Sequence, residues 1–223
     1  MATPPSNPDD LSRLNALRAR LDAVDTGIHR LLRERFEIVE EIGKAKGPQE
    51  SVIRPGREAA VIENRLALHS GAMPREMLAH IWRTVMSAAC TVQRPFRVYT
   101  VGALDVALFL YGPVEVIVAP DVAAALSALG GDDIAVLAGE TAWWQIPDGA
   151  DVSVINRCPL TRGGSVIVYA GHRVPKGTGP EAAIVRNGAA QFVASSSLLA
   201  EDHVLGRYHP FPLEIPGAEA SAV

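Results

Sequence analysis

The sequence predicts a helical region over residues 11–95 that forms an intertwined dimer, followed by a small α/β region over residues 96–223. Apolar residues between positions 14 and 46 recur at alternating spacings of three and four, which is typical of a helix that packs along one seam. After residue 96, short apolar runs alternate with turn residues, which indicates strands. Charged residues are distributed unevenly too, with 14 Lys and Arg against 12 Asp and Glu in residues 1–95 and 7 against 13 in residues 96–223.

The composition limits the classes of function. Because 48% of the 223 residues are apolar, the chain can bury a substantial core. Neither region is basic enough to predict nucleic-acid binding, and no apolar run reaches the roughly 18 residues of a membrane span. Since the first residues also lack the pattern of a signal peptide, we expect a cytoplasmic protein. Cys90 and Cys158 lack metal-ligand spacing, so we expect buried free thiols, no metal and no cofactor.

The first predicted helix extends from about residue 11 to residue 46, roughly 50 Å at 1.5 Å per residue. Arg35 occupies one position of its seam, and a buried guanidinium needs an anion because an unpaired one costs several kcal/mol. Lys46 shares that face about 16 Å further on, so the two cations indicate an anion-binding site. Two short helices cannot cover so long a seam, and we expect a second copy to do so. The apolar seam residues are Leu14, Leu17, Leu21, Val24, Ile28, Leu31, Ile38 and Ile42.

Two shorter helices are predicted over residues 55–70 and 74–93, with Pro55 in the first turn and Ser70-Gly71 as a break. The spacing predicts one buried stripe on each helix. The first stripe is Val61, Ile62 and Leu66, and the second is Met77, Leu78, Ile81, Val85 and Ala89, with Gln93 at its end.

The second region is predicted to form a small α/β domain. A helix over residues 120–130 lies between two of its strands, which is a βαβ signal. We expect the tail from Gly206 to be irregular. The predicted strands cover residues 96–101, 114–119, 133–139, 152–157, 165–171 and 181–187.

Three stretches of the helical region are LRARLDAVD (17–25), LLRERFEIVEEIGKAK (31–46) and PGREAAVI (55–62). Together with the helix end at Gln93, they resemble the all-helical chorismate mutase family over residues 11–95. The resemblance implies an isomerase of phenylalanine and tyrosine biosynthesis, in the shikimate pathway, that converts chorismate to prephenate. This [3,3] rearrangement occurs within one molecule and needs no nucleophile, metal or cofactor.

The resemblance also implies a role for each polar residue. Arg18 would reach into the partner's site, while Arg35 and Arg57 would bind the substrate carboxylates through their planar forks. Lys46 and Gln93 would donate to the breaking ether oxygen, where charge develops. Glu58 would accept from the ring hydroxyl. All six residues would thus bind substrate, and the catalytic ones are Lys46, Gln93 and Arg35.

Other interpretations stay open. The family often has Asp where this chain has Arg54 and Ser where it has Ala89, and each lost hydrogen bond costs about 1 kcal/mol, or about fivefold in rate. An isochorismate-pyruvate lyase would use the same scaffold, and a non-catalytic dimerisation or regulatory module would need no site at all. Structural alternatives are an Arg18–Asp22 pair, an Arg57–Glu50 pair, a helix-start role for Glu58 and a helix-end role for Gln93.

Two stretches of the second region, IAVLAGETAWWQI (134–146) and LTRGG (160–164), resemble segments of the prephenate dehydratase family. The full substrate-binding signatures of that family are missing, and the region is about half the expected length. We therefore predict a degenerate dehydratase-like lobe of undecided role, and sensing of a pathway amino acid and docking of another enzyme both stay open. Thr161 and Arg162 are expected to be turn residues, and Trp143 and Trp144 core or interface aromatics.

Overall fold

The computed structural model describes residues 7–112, 114–160, 164–175 and 177–213. The chain divides into two compact units between Ala45 and Lys46. The first unit contains a single helix, and the second contains the other helices and all described strands. A helical region followed by an α/β region is the fold class that the sequence predicts, and it is confirmed.

The long first helix is confirmed as α1 (Pro8–Ala45), 38 residues in length. It begins where the Oδ1 atom of Asn7 accepts a hydrogen bond from the backbone N–H of Asp9 at 3.2 Å, which is a capping contact. All but one of the eight seam residues are exposed, by 46–59%. Those exposed residues are Leu17, Leu21, Val24, Ile28, Leu31, Ile38 and Ile42.

The second unit begins with α2 (Pro55–Ala67) and α3 (Arg75–Gln93). On α2 the predicted burial of Ile62 and Leu66 is confirmed. On α3 the predicted stripe is wrong at two positions, because Met77 and Ile81 are exposed. The helix instead buries the face that carries Ala79, Arg83, Met86 and Cys90, because it packs against a further helix, α4 (Leu104–Tyr111), which the sequence reading missed.

A mixed five-stranded sheet forms the centre of this unit, in the order β2-β1-β3-β5-β4. Its first three strands are parallel and are joined by helices, as in a βαβ unit, and β5 pairs antiparallel with both β3 and β4. All six predicted strands are observed, five of them in this sheet. The elements are β1 (Arg97–Val101), β2 (Glu115–Val118), α5 (Val122–Ser127), β3 (Ile134–Ala138), β4 (Ser153–Pro159) and β5 (Ser165–Ala170).

A second, antiparallel sheet places β6 (Glu181–Arg186) between β7 (Ala189–Ala194) and β8 (His203–Tyr208). The last two strands were not predicted, and the expectation of an irregular tail from Gly206 is wrong because β8 continues to Tyr208. At Gly206, β8 passes so close to β4 that a Cβ atom would lie 2.2 Å from the carbonyl oxygen of Val154. This glycine permits a close approach between strands rather than ending one.

Two apolar clusters form the core of the second unit. One of them joins α2 and α3 to α4 and to the large sheet, so packing is continuous across residue 95 and the domain boundary predicted there stays a prediction. Members from the helices are Ile62, Leu66, Met86 and Cys90, and members from α4 and the sheet are Leu110, Val98, Val136 and Val168.

The other cluster contains Trp143, which stacks on Phe192 with ring centroids 5.0 Å apart and whose carbonyl accepts from the Tyr169 hydroxyl at 2.9 Å. Its prediction as a core aromatic is confirmed, and Trp144 packs against the same cluster. Thr161 and Arg162 lie outside the described residues. Among the helices described, none is both long and apolar enough to cross a bilayer.

Candidate functional site

Two of the six predicted site residues lie on α1. Arg18 is exposed and Arg35 is half-buried, with the guanidinium of Arg35 5.8 Å from the ring of Phe36. They are seventeen positions apart, which is about 26 Å along a helix axis. The alternative pair with Asp22 is not formed, since the ion pairs observed within the described part of α1 join Arg30 to Glu34 and Arg33 to Glu37.

Lys46 is the first residue of the second unit, and its ammonium points into the loop over residues 46–54 that precedes α2, which we call the Lys46 loop. The Nζ atom donates to the carbonyl oxygen of Ser51 at 3.3 Å. Burial lowers the pKa of Lys46, the nearby Arg54 guanidinium lowers it further, and Cys90 and two carboxylates oppose the shift. This partly desolvated cation is suited to an anionic ligand, because its charge is less screened than it would be in water.

Glu58 lies in the first turn of α2 and accepts three hydrogen bonds. Its Oε2 atom accepts from the Arg83 guanidinium, and its Oε1 atom accepts from the backbone N–H of Arg54 at 3.3 Å. The thiol of Cys90 lies 3.9 Å from the same Oε1 atom and 3.4 Å from the carbonyl oxygen of Val52. Cys90 therefore links α3 both to Glu58 and to the loop that holds Lys46.

Arg83 is a buried partner that sequence reasoning missed. It is only 5% exposed, donates from Nε to the carbonyl of Leu110 at 2.8 Å and lies 4.8 Å from the ring of Tyr111. Burial alone would lower its pKa, but Glu58 and Tyr111 outweigh that effect and keep the guanidinium charged. A signal was present, because Arg83 lies on a helix face that is otherwise apolar at Ala79, Met86 and Cys90, as Arg35 does in the seam of α1.

Gln93 is the last residue of α3 and is half-buried. Its Nε2 atom donates to the carbonyl of Ala89 at 3.1 Å, while its buried Oε1 atom has no hydrogen-bond partner among the described residues. An unsatisfied buried amide oxygen costs about 1–3 kcal/mol. The amide nitrogen carries a second hydrogen, which is available to a ligand.

Arg57 is exposed and lies apart from the network of Glu58. It lines a cavity of about 220 Å³ together with Arg54, Arg207 and His209. The alternative pair with Glu50 is not formed, because Glu50 instead pairs with Arg54 at 3.6 Å. The structure thus brings Lys46 and Glu58 to one loop beside α3, and it places Arg57 in a separate cationic cavity.

Asp132, in the turn before β3, binds the loop between Lys46 and α2, and sequence reasoning missed it too. Its Oδ1 atom accepts from the Ser51 hydroxyl at 2.5 Å and from the Val52 N–H at 3.2 Å. Its Oδ2 atom accepts from Arg94 at 2.7 Å and from Arg173 at 3.3 Å. In the sequence, Gly-Gly-Asp-Asp indicates only a turn, because every partner of this carboxylate is distant along the chain.

The chemistry available here is that of cations and hydrogen-bond donors. Burial and the neighbouring Glu58 carboxylate raise the pKa of Cys90 to about 12, so its thiol stays protonated and is a poor nucleophile. Within the described residues, no group of three or more His, Cys, Asp or Glu side chains is placed to hold a metal ion. The site can bind and polarise an anionic ligand.

Comparison with known proteins agrees with this chemistry. Residues 17–94 match the family model described as chorismate mutase type II, which confirms the resemblance of the helical region. The chain is similar to the bifunctional chorismate mutase/prephenate dehydratase of Neisseria gonorrhoeae, 39% identical over 85 residues, which are 38% of this chain and 23% of that protein.

Proteins of the same description from Stutzerimonas stutzeri and Aquifex aeolicus are 32% and 33% identical over 99 and 97 residues. Those matches cover 42% and 41% of this chain, and 27% of each relative. The chain thus spans about a quarter of the length of the curated relatives it matches. No solved structure matches it.

Proposed function

We propose that this protein is a chorismate mutase that converts chorismate to prephenate in aromatic amino-acid biosynthesis. The observation that carries the proposal is that all six predicted site residues fall within the matched residues 17–94. The local geometry supports it, because the half-buried Lys46 lies at the loop that also borders Glu58 and Cys90. A cytoplasmic location stays a prediction.

The reaction breaks one carbon–oxygen bond and forms one carbon–carbon bond within a single dianion, with no exchange of protons or electrons. An enzyme can therefore accelerate it by holding the reactive conformer and by stabilising charge on the ether oxygen. Lys46 and Gln93 are the proposed donors to that oxygen. Because burial reduces the screening of Lys46, its ammonium stabilises the developing charge more than a fully hydrated one would.

The carboxylates of the substrate are assigned to Arg35 and Arg57, whose guanidinium groups can bind them in two-bond fashion. Glu58 is assigned to the ring hydroxyl. Its three observed donors leave one of about four acceptor positions free for that contact. Arg54 and Ala89, where the family often has Asp and Ser, leave these cationic contacts untouched.

We further propose a homodimer in which the α1 seams pack together and Arg18 serves the partner's site. The exposed seam supports this, since half-exposed side chains of this size would each contribute about 1 kcal/mol on burial. The separation of about 26 Å between Arg18 and Arg35 also supports it, because residues that far apart on one helix cannot bind one small molecule.

The direct test is the conversion of chorismate to prephenate by the purified protein and by two matched variants. Lys46→Ala should lower kcat by about a thousandfold, in line with the loss of a donor to developing negative charge. Lys44→Ala removes an exposed lysine two residues away and should leave kcat within about twofold. Absence of prephenate formation by the wild-type protein would refute the proposal.

The same assay separates the two rival functions. Release of salicylate and pyruvate from isochorismate, without turnover of chorismate, would identify a lyase instead. A correctly folded protein with no turnover of either compound would indicate a non-catalytic module. The role of residues 96–223 as a degenerate dehydratase-like lobe stays a prediction, and deletion would expose the core they share with α2 and α3, so point variants are the better probe.

A further inference from the structure

We propose that Asp132, in the α/β region, is a positioning residue for the mutase site that fixes the Lys46 loop against the end of α3. This inference rests on the proposed function. It assigns a role to the second region, because that region supplies the carboxylate to which both proposed ether-oxygen donors are anchored.

The first anchor leads from Asp132 to Lys46. The Ser51 hydroxyl donates to the Oδ1 atom of Asp132 at 2.5 Å, and the carbonyl of the same serine accepts from Lys46 Nζ at 3.3 Å. Asp132 and Ser51 are only 3% and 2% exposed, so water does not compete for their hydrogen bond. The Val52 N–H adds a second bond to Oδ1 at 3.2 Å and fixes the backbone of the loop.

The second anchor leads from Asp132 to Gln93. Arg94 directly follows Gln93, and its Nη1 atom donates to the Oδ2 atom of Asp132 at 2.7 Å. The same Nη1 atom reaches the carbonyl of Glu50 at 3.2 Å, so the end of α3 is also bonded to the Lys46 loop. One carboxylate therefore sets the spacing between two segments that are almost fifty residues apart in sequence.

The charge of Asp132 has an effect beyond its hydrogen bonds. The charged groups near Lys46 are Arg54, Glu50 and Asp132, with the thiol of Cys90 also close. The carboxylate of Asp132 favours the ammonium form of Lys46, and it also compensates the guanidinium groups of Arg94 and Arg173. Neutralising Asp132 should therefore lower the pKa of Lys46.

The neighbouring Asp133 provides a matched control. It is 6% exposed and accepts from the backbone N–H and the guanidinium of Arg97, both at 2.8 Å, and from the Gly130 N–H at 3.3 Å. It thus makes bonds of the same kinds, but all of these partners lie in the α/β region. Asp132→Asn and Asp133→Asn should perturb that region similarly, while only the first releases the Lys46 loop.

The experiment measures kcat, KM and the pH dependence of kcat for both variants and for Ser51→Ala, with the folded fraction of each determined by circular dichroism. We expect Asp132→Asn to lower kcat by about 10- to 100-fold and to move the alkaline limb of the profile to lower pH. Ser51→Ala keeps the charge, so its kcat should fall while the limb stays in place. Asp133→Asn should stay within about threefold of wild type with an unmoved limb.

A purely structural role for Asp132 would lower the folded fraction but would not move the alkaline limb. If Asp132→Asn and Asp133→Asn have the same kcat and KM and the same position of the alkaline limb, the proposal is overturned. If Asp132→Asn does not fold, Ser51→Ala decides, and an unchanged kcat in that variant would refute the anchor to Lys46.

Amide hydrogen exchange tests the anchor without reference to activity. The N–H groups of Val52 and Ile53 should exchange at least tenfold faster in Asp132→Asn than in Asp133→Asn. Equal exchange rates would refute the anchor even in an active enzyme. Inactivity of the wild-type protein towards chorismate would instead refute the proposed function, and faster exchange would then still establish the anchor.

Discussion

The two compact units differ in how far their charged and apolar side chains are buried. In α1 the ion pairs join exposed residues one turn apart, and the apolar seam is open along most of its length. In the second unit Arg83, Asp132 and Asp133 are buried and have partners from distant elements. The difference indicates that the second unit builds its buried core within one chain, whereas most of the α1 seam is left exposed.

The anions that two arginines require, one in each unit, illustrate this difference. Arg35 and Arg83 each interrupt an apolar stripe on a helix, and both would be costly to bury without an anion. For Arg83 the anion is Glu58, within the same unit. For Arg35 the proposed anion is a substrate carboxylate. A cation in an apolar stripe thus indicates that an anion is needed, and for Arg83 the contacts of the structure identify that anion.

The largest expected effect is on the stability of the second unit. Arg83→Met removes the buried cation and leaves the Glu58 carboxylate without its ion-pair partner, which should lower the free energy of unfolding by about 3–5 kcal/mol. Urea unfolding measures this value. Arg65→Met, which removes an arginine that lies 5.6 Å from the ring of Trp82, should cost about 1 kcal/mol or less. Similar losses in the two variants would contradict the assignment of Arg83 as a buried structural cation.

The next effect concerns α1 and the proposed dimer. Ile28→Glu places a charge in the seam and should weaken association by about 3 kcal/mol per copy, from lost apolar burial and the cost of desolvating a carboxylate. Analytical ultracentrifugation at micromolar concentration should detect monomers. Thr26→Glu adds the same charge to the opposite face of the helix and should leave the dimer intact. A monomeric wild-type protein, or equal dissociation of both variants, would refute the proposed interface.

A smaller effect is the dependence of kcat on pH that we expect from the charge of Lys46 in the second unit. Lys46 acts as a cation and its pKa is lowered by burial and by Arg54, so kcat should fall as pH rises through a value below the ordinary lysine pKa of about 10.4. Lys46→Arg should remove this alkaline limb, since a guanidinium stays charged there, and should lower kcat about tenfold because its geometry differs. A limb that persists in Lys46→Arg would assign the titration to another group.

Much of the fold could be predicted from local sequence signals. The α1 helix followed from periodicity and the six strands from short apolar runs between turn residues, such as IAVLA in Ile134–Ala138 and VIVYA in Ser165–Ala170. The prediction failed where one signal allowed two structures. The apolar run at Leu104–Tyr111 is too short and too uniformly apolar to show a helical period, and Gly206 looks like a strand breaker although it permits strand packing.

The candidate site was predictable only in part, for a related reason. The six polar residues are predicted from their spacings along three predicted helices, and their roles stay a proposal. Asp132 and Ser51 could not be predicted, because their roles depend on contacts between residues about eighty positions apart. The burial of Met86 rather than Ile81 on α3 likewise depends on which neighbour the helix meets, and an amphipathic pattern with two apolar sides does not specify that.

The smallest expected effect is on the rate of thiol labelling, which dissociation of the dimer should leave unchanged. Both cysteines lie in the second unit, and burial raises the pKa of each to about 12, so thiol labelling of the native protein should be on the order of a thousandfold slower than for an ordinary cysteine. Labelling therefore reports the opening of the second unit alone. If that unit is complete without a partner, Ile28→Glu should dissociate the dimer yet change the labelling rate by less than about twofold. A rate that rises with dissociation would show that the second unit depends on the dimer, and the contrast between the two units would then have to be abandoned.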